Sequence, residues 1–355
     1  MNLHWQEAGR EAFRNITSST TRLIRLVIIF VALTGTLAWV EESTVRGFVN
    51  EANTYLNEGG ATWILQSPQA ISGNACDALS TVEGVLASGS LRDDHSGLTD
   101  VLLPRTTIPL YSVTPGFFLV VNANHGFDPG LVVSDQVFDR YGLAVEGRIH
   151  TTRGEVPISG MYRYPEDGRR SGLGFAALQV VTSDEIFDEC WVTMWPTIEQ
   201  TKSLLYLSLI PHYASRQTQI FQLNPQHASV YDVGRYDHRL TRWTPLISLV
   251  ISLILAVTTV WTRRLEHASN LHAGVSHFFL HLQLLFESIS WVAIATIFCI
   301  PIVIVTSWGS LSDTICVMFT GVRVLVSAVS GAIMGTVIGC SLIRESQLFT
   351  FFKYR

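Results

Sequence analysis

The chain has 355 residues, a formal net charge of −5, and 15% charged residues, where an average soluble chain has about 25%. The charge excludes a broadly basic nucleic-acid binder. The apolar excess, a mean hydropathy of +0.29 gathered into four blocks, excludes an ordinary soluble protein. The expected fold class is an integral membrane α-helical protein: four spanning helices, both termini inside, and a large extracytoplasmic mixed α/β domain between the first and second span.

In chain order, residues 1–22 are expected to form a cytoplasmic amphipathic helix, because Trp5, Ala8, Ala12 and Phe13 share a face opposite Gln6, Glu7 and Arg10. Residues 23–40 are the first span. A cleaved signal is the alternative reading, but some twenty residues precede the stretch and Glu41-Glu42 follows it in place of a small-residue cleavage site. The helical pattern continues through Val45, Phe48, Val49, Ala52, Tyr55 and Leu56 to Gly59-Gly60, so residues 41–60 read as a stalk helix.

Residues 61–243 have soluble composition and alternate strand-like and helix-like pieces. Strands are expected at Ala61–Gln66, Phe117–Val121, Leu131–Val133, Val145–His150, Val156–Tyr162, Ala176–Thr182 and Trp191–Trp195. Helices are expected over Gly73–Ser88, over Asp135–Tyr141 with Ser134 as N-cap and Gly142 as stop, and over Ile198–Leu207. Asp93, Asp94 and His95 read as a solvated polar loop. Cys76 and Cys190, alone in this region, are expected to form a structural disulfide in an oxidising compartment.

The second span is 244–262, the third 288–308 with Pro301 inside it, and the fourth 321–343. Residues 263–287 form a cytoplasmic elbow, 309–320 an external hairpin and 344–355 a cytoplasmic tail. Orientation follows from Arg10, Arg14, Arg22 and Arg25 before the first span, Arg263 and Arg264 after the second, and Arg344, Lys353 and Arg355 after the fourth. Arg323, at the opposite end of the fourth span, reads as a snorkelling residue. On the fourth helix Ser327, Gly331, Gly335 and Gly339 recur every four residues, a small-residue stripe suited to close helix packing; packing inside one four-helix unit is favoured over a subunit interface.

No catalytic constellation emerges. The sequence has no G-x-x-x-x-G-K-[ST], H-E-x-x-H, C-x-x-C or G-x-S-x-G. His267, His272, His277 and His281 have spacings that admit a metal site, but only Glu266 accompanies them, and interfacial polar residues are the favoured reading. No resident cofactor and no metal are expected.

The elbow itself is the most informative stretch. Arg263, Arg264 and Glu266 open it, Gly274-Val275-Ser276 form a turn, and Glu287 closes it on the third helix. This resembles the segment after the second helix in permeases of the MacB, LolC/LolE and FtsX type, with R-R-x-E, a short helix, a G-A-S-like turn and an acidic residue. Departures are the polar run His267–Asn270 and His277-Phe278 where the family has a basic pair. The opening Glu7–Asn15 resembles the family's E-A-x-R-N helix, and Leu131–Gly147 its strand, helix and G-L-x-V-G-D turn, with Glu146-Gly147 in place of Gly-Asp.

The resemblance implies a permease subunit of an ATP-binding cassette (ABC) transporter of the mechanotransmission kind (type VII) in the cell (cytoplasmic or inner) membrane. Its partners would be a dimer of ABC ATPase subunits carrying ATP and Mg, a second copy of this or a related permease, membrane lipids and an extracytoplasmic protein. Arg263, Arg264, Glu266, His267, Leu271, Gly274 and Ser276 would then couple to the ATPase. An FtsX-like activator of an external hydrolase is the first alternative. A sensory receptor is the second, disfavoured because the longest cytoplasmic segment is only about 25 residues.

Overall fold

The computed structural model describes residues 2–18, 22–99, 105–125, 129–143, 147–152, 154–196, 202–213, 217–228 and 230–343. The sequence-expected Glu146 turn and the basic tail residues Arg344, Lys353 and Arg355 lie outside them. The chain divides into a helical unit, Met1–Asn50 with Gly234–Arg355, and an α/β unit, Glu51–Val233.

Helix α1 is Asn2–Thr17 and α2 is Leu23–Asn57. The 35 residues of α2 make one unbroken helix about 52 Å long at 1.5 Å per residue. It ends just before Gly59-Gly60, where the periodicity stops. On α1 Ala8, Ala12 and the polar Asn15 are buried, whereas Phe13 is exposed, so the inward face is less apolar than its composition indicates.

The α/β unit holds ten strands among the described residues: β1 (Thr62–Ser72), β2 (Val85–Thr99), β3 (Thr107–Val113), β4 (Asn124–His125), β5 (Leu131–Ser134), β6 (Arg148–Thr151), β7 (Gly154–Tyr162), β8 (Ala177–Val180), β9 (Ile186–Met194) and β10 (Gln219–Gln222). Their order is β10-β1-β9-β2-β3-β8-β5-β7-β4, with β6 paired to β7. The pairs β3–β8 and β5–β7 are parallel and the others antiparallel. Helices α3 (Gly73–Ala78), α4 (Phe117–Val120) and α5 (Asp135–Tyr141) complete it. Ser134 accepts from the Val137 amide at 3.4 Å, and Gly142 closes α5 at φ 56°, a left-handed backbone that glycine adopts without a Cβ clash.

Three expectations are corrected. The apolar run Phe117–Val120 is a helical turn, not a strand: Phe117 and Phe118 point into the core around Trp191, which one helical turn achieves as well as a strand. The helix expected over Gly73–Ser88 stops at Ala78, passes through a 3₁₀ turn at Leu79–Thr81, and gives way to β2. The polar Asp93-Asp94-His95 lies inside β2, because Arg92 ion-pairs with Asp94 and Glu185 and Asp94 accepts from Ser112, which satisfies the charges beside the sheet. Of the helix expected over Ile198–Leu207, the described part is a 3₁₀ helix at Ser203–Ser208.

Cys76 of α3 and Cys190 of β9 are joined by a disulfide, Cα–Cα 5.8 Å, across 114 residues. Both half-cystines are buried among Leu65, Ile71, Phe187 and Val192.

In the helical unit, α6 (Gly234–Asp237) and a 3₁₀ turn (Leu240–Trp243) lead into α7 (Thr244–Thr262), followed by α8 (Arg264–His272), α9 (His277–Thr306) and α10 (Leu311–Ser341). Among the described residues, four segments are long and apolar enough to cross a membrane: Leu23–Asn57, Gly234–Thr262, His277–Thr306 and Asp313–Ser341. Their shared core packs Leu26, Val27 and Phe30 of α2 with Ala256, Trp291, Ala295, Ala328 and Ala332. Phe30 meets Trp291 edge to face at 5.6 Å. Pro301 sits inside α9 without ending it.

Candidate functional site at the helix elbow

Arg263 is the residue between α7 and α8, at the point where the apolar run ends and the chain turns. Its guanidinium makes a fork with Glu266, Nε to Oε2 at 3.0 Å and Nη2 to Oε1 at 2.7 Å, and its Nη1 reaches Oε2 of Glu287 on α9 at 2.6 Å. The other oxygen of Glu287 accepts from Asn15 of α1 at 2.7 Å and from Gln283 at 3.4 Å. One cation and two carboxylates thus tie α1, α7, α8 and α9 together. The side chain of Arg263 is 11% exposed and that of Glu287 3%. Charge-assisted fork geometry of this kind is among the stronger polar contacts.

Burial alone would favour a neutral Arg263, but the hydrogen bonds and charges of Glu266 and Glu287 outweigh it and raise its pKa. The same hydrogen bond with Arg263 holds Glu266 below the usual carboxylate range, burial opposing it.

Two of the residues expected to face a partner turn inward. His267 is fully buried, and Leu271, nearly so, packs with Ala268 beside Val260, Leu280, Leu284 and Cys340. Neither ring nitrogen of His267 has a hydrogen-bond partner among the described residues. Burial, and then the nearby Arg263 charge, push its pKa down to about 4 despite Glu266. The outward side is Ser269, His272, Ala273, Gly274, Ser276, His277 and Phe278, while Arg264 lies over the Trp261 ring at 5.3 Å. Phe278 is 62% exposed.

The turn between α8 and α9 is set by backbone geometry. Gly274 has φ +92°, its amide bonds Leu271 O at 3.0 Å, and the Val275 amide bonds Asn270 O at 3.1 Å. This double closure is a helix stop that needs a left-handed residue at Gly274. Ser276 then caps α9 by accepting from the Phe279 amide at 3.2 Å. Of the four histidines, His281 bonds His277 O at 2.7 Å and Ser341 at 3.2 Å, and among the described residues no three His, Cys, Asp or Glu side chains group around a metal position.

The glycine stripe of α10 faces α7. A Cβ on Gly331 would lie 2.2 Å from Leu249 O, one on Gly335 2.4 Å from Leu253 O, and one on Gly339 3.1 Å from Val260 Cβ. Ser327 is half-buried one turn earlier.

A second charged group, at the far end of the spans, has no counterpart in the sequence reading. Glu41, 2% exposed, pairs with Arg239 at 3.0 Å. Glu42, fully buried, accepts from Thr306, whose carbonyl also accepts from Arg46 at 2.9 Å. The second oxygen of Glu42 has no hydrogen-bond partner among the described residues and occupies the notch left by Gly321. The adjacent Glu41-Glu42 was a signal in itself: two acids at the end of an apolar helix must find cations or protons.

No protein-family model matches this chain, and no curated protein matches it in sequence. Several solved structures are similar to part of it. The periplasmic region of MacB from Actinobacillus actinomycetemcomitans aligns at 11% identity and TM-score 0.36, over 47% of this chain and 91% of that one. A domain named as that of a permease protein from Porphyromonas gingivalis aligns at 12% identity and TM-score 0.30, over 50% and 94%. At these values the likenesses decide neither fold nor function.

Proposed function

We propose that this chain is the permease subunit of an ABC transporter of the MacB, LolC/LolE and FtsX kind, moving an extracytoplasmic domain in response to a separate ATPase. The observation that carries the reading is α2: one uninterrupted helix from Leu23 to Asn57 whose first part belongs to the helical unit and whose last residues belong to the α/β unit. A helix without a break is suited to transmit displacement along its axis, and bending it requires a break such as proline or a bulge.

The elbow supports the same reading. Arg263 fixes α8 to α7 and α9, so a load applied to α8 passes to the spans. On the docking side we assign Arg264, Gly274, Ser276, His277 and Phe278. Arg263, Glu266, His267 and Leu271 act from behind, holding α8 in place. The disulfide supports placing the α/β unit outside the cytoplasm, where such bonds persist. In this reading both termini and the elbow face the cytoplasm, and ATP and Mg belong to the partner. The stripe Ser327, Gly331, Gly335 and Gly339 serves packing of α10 on α7.

Mild detergent purification of the tagged chain, with mass spectrometry of what accompanies it, tests the proposal. An ABC ATPase, with its hydrolysis rate altered by this chain, is the expected result. Its absence from the purified complex, or a rate that the chain leaves unchanged, overturns the reading. Recovery of an external hydrolase beside the ATPase would identify the FtsX-like form.

A further inference from the structure

A groove of about 600 Å³ lies at the start of α2, with Arg22 and Arg25 at one end and Ile24, Ile28 and Ile29 running away from them, closed on one side by Ile16 of α1. Arg22, just before α2, and Arg25, in its first turn, line the same groove. Both are exposed and neither has an ion-pair partner among the described residues. Other arginines of the helical unit differ: Arg14 pairs with Glu11 at 2.8 Å, and Arg263 is held by two carboxylates. Ile24 is 75% exposed and Ile28 62%, so the apolar wall is open.

We propose that this groove binds an anionic phospholipid, its phosphate held between Arg22 and Arg25 and one acyl chain laid along Ile24, Ile28 and Ile29. Guanidinium forks match phosphate oxygens in two-point contacts, which an ammonium does not. A basic pair at the end of a span lies at headgroup depth, where anionic lipid is attracted to it. The apolar wall below requires an aliphatic occupant and gives a soluble anion nothing to contact. A net negative headgroup is selected over a zwitterionic one because no carboxylate in the groove offers a partner to a choline or ethanolamine.

The inference requires that the chain reside in a bilayer. It does not require an ATPase partner, so the partner experiment and this one fail independently.

The test is native mass spectrometry of the delipidated full-length protein, titrated with phosphatidylglycerol or phosphatidylcholine. Wild type is expected to retain one phosphatidylglycerol more tightly than any phosphatidylcholine. At about fivefold for each arginine, R22Q/R25Q should bind phosphatidylglycerol about 25-fold more weakly, with phosphatidylcholine unmoved. Ile28→Trp fills the groove without changing charge and should also release the lipid, which keeps the proposal testable if the double variant misfolds. R323Q, at the other end of the spans, should bind as wild type does. Equal retention of the two lipids by wild type, full retention by folded R22Q/R25Q or by Ile28→Trp, or displacement by millimolar inorganic phosphate would overturn the proposal.

Discussion

Arg263 donates to the Glu287 carboxylate at 2.6 Å with both side chains nearly out of contact with solvent. Removing one member of such a pair strands the other charge. Arg263→Met should therefore destabilise the helical unit by about 3–5 kcal/mol, and the double variant Arg263→Met/Glu287→Met should recover most of that loss. Thermal unfolding of wild type, Arg263→Met, Glu287→Met and the double variant in one detergent checks it; additive losses would show that the pair is not coupled.

His267 gives a pH dependence with a definite sign. Its folded-state pKa, about 4, lies below the ordinary 6.5, so the unfolded chain binds the proton more readily. The stability it contributes is complete above pH 6.5 and is lost as pH falls toward 4. The size is on the order of 2–3 kcal/mol across that window. The wild-type-minus-His267→Leu difference in Tm, measured by scanning fluorimetry, should fall between pH 7.5 and 4.5, because only the wild type carries the buried imidazole. A difference that stays constant with pH would contradict the buried neutral imidazole.

Gly335 leaves no room for a larger residue, because a Cβ there would lie 2.4 Å from a backbone oxygen that cannot swing away. Gly335→Ile should yield aggregated or poorly expressed protein, whereas Gly339→Ala, whose nearest neighbour is a side chain at 3.1 Å, should be far milder. Size-exclusion profiles of the two variants give the comparison.

Cys76→Ser with Cys190→Ser should cost the α/β unit about 2–5 kcal/mol, as loss of a long-loop disulfide does. A shift in gel mobility between reduced and non-reduced wild type, absent from the double variant, reports the bond directly.

Phe278→Asp alters an exposed side chain at the elbow and breaks no contact of the buried network. Under the proposed docking it should reduce ATPase recovery severalfold while leaving Tm within about 0.5 kcal/mol equivalent of wild type. Unchanged recovery would remove Phe278 from the docking surface.

Local signals were legible in the sequence. The four apolar segments, the length of α2, the Ser134 and Gly142 helix signals and the Cys76–Cys190 pair follow from composition and spacing, because each depends on residues close in the chain or on a choice with a single partner. Tertiary structure decided the rest. Phe117–Val120 became a helical turn because its neighbours on β2 and β9 had room for one, and Asp93-Asp94 stayed in a strand because Arg92 and Ser112 stood beside it. His267 and Phe278 are polar and apolar in the wrong places for a reading by composition: His267 is buried on the inward face of α8, and Phe278, in the first turn of α9, is exposed. The elbow was visible as Arg263, Glu266 and Glu287. That Asn15, 272 residues from Glu287, completes its hydrogen bonding is fixed by the packing of α1 on α9, a long-range contact that no local periodicity encodes.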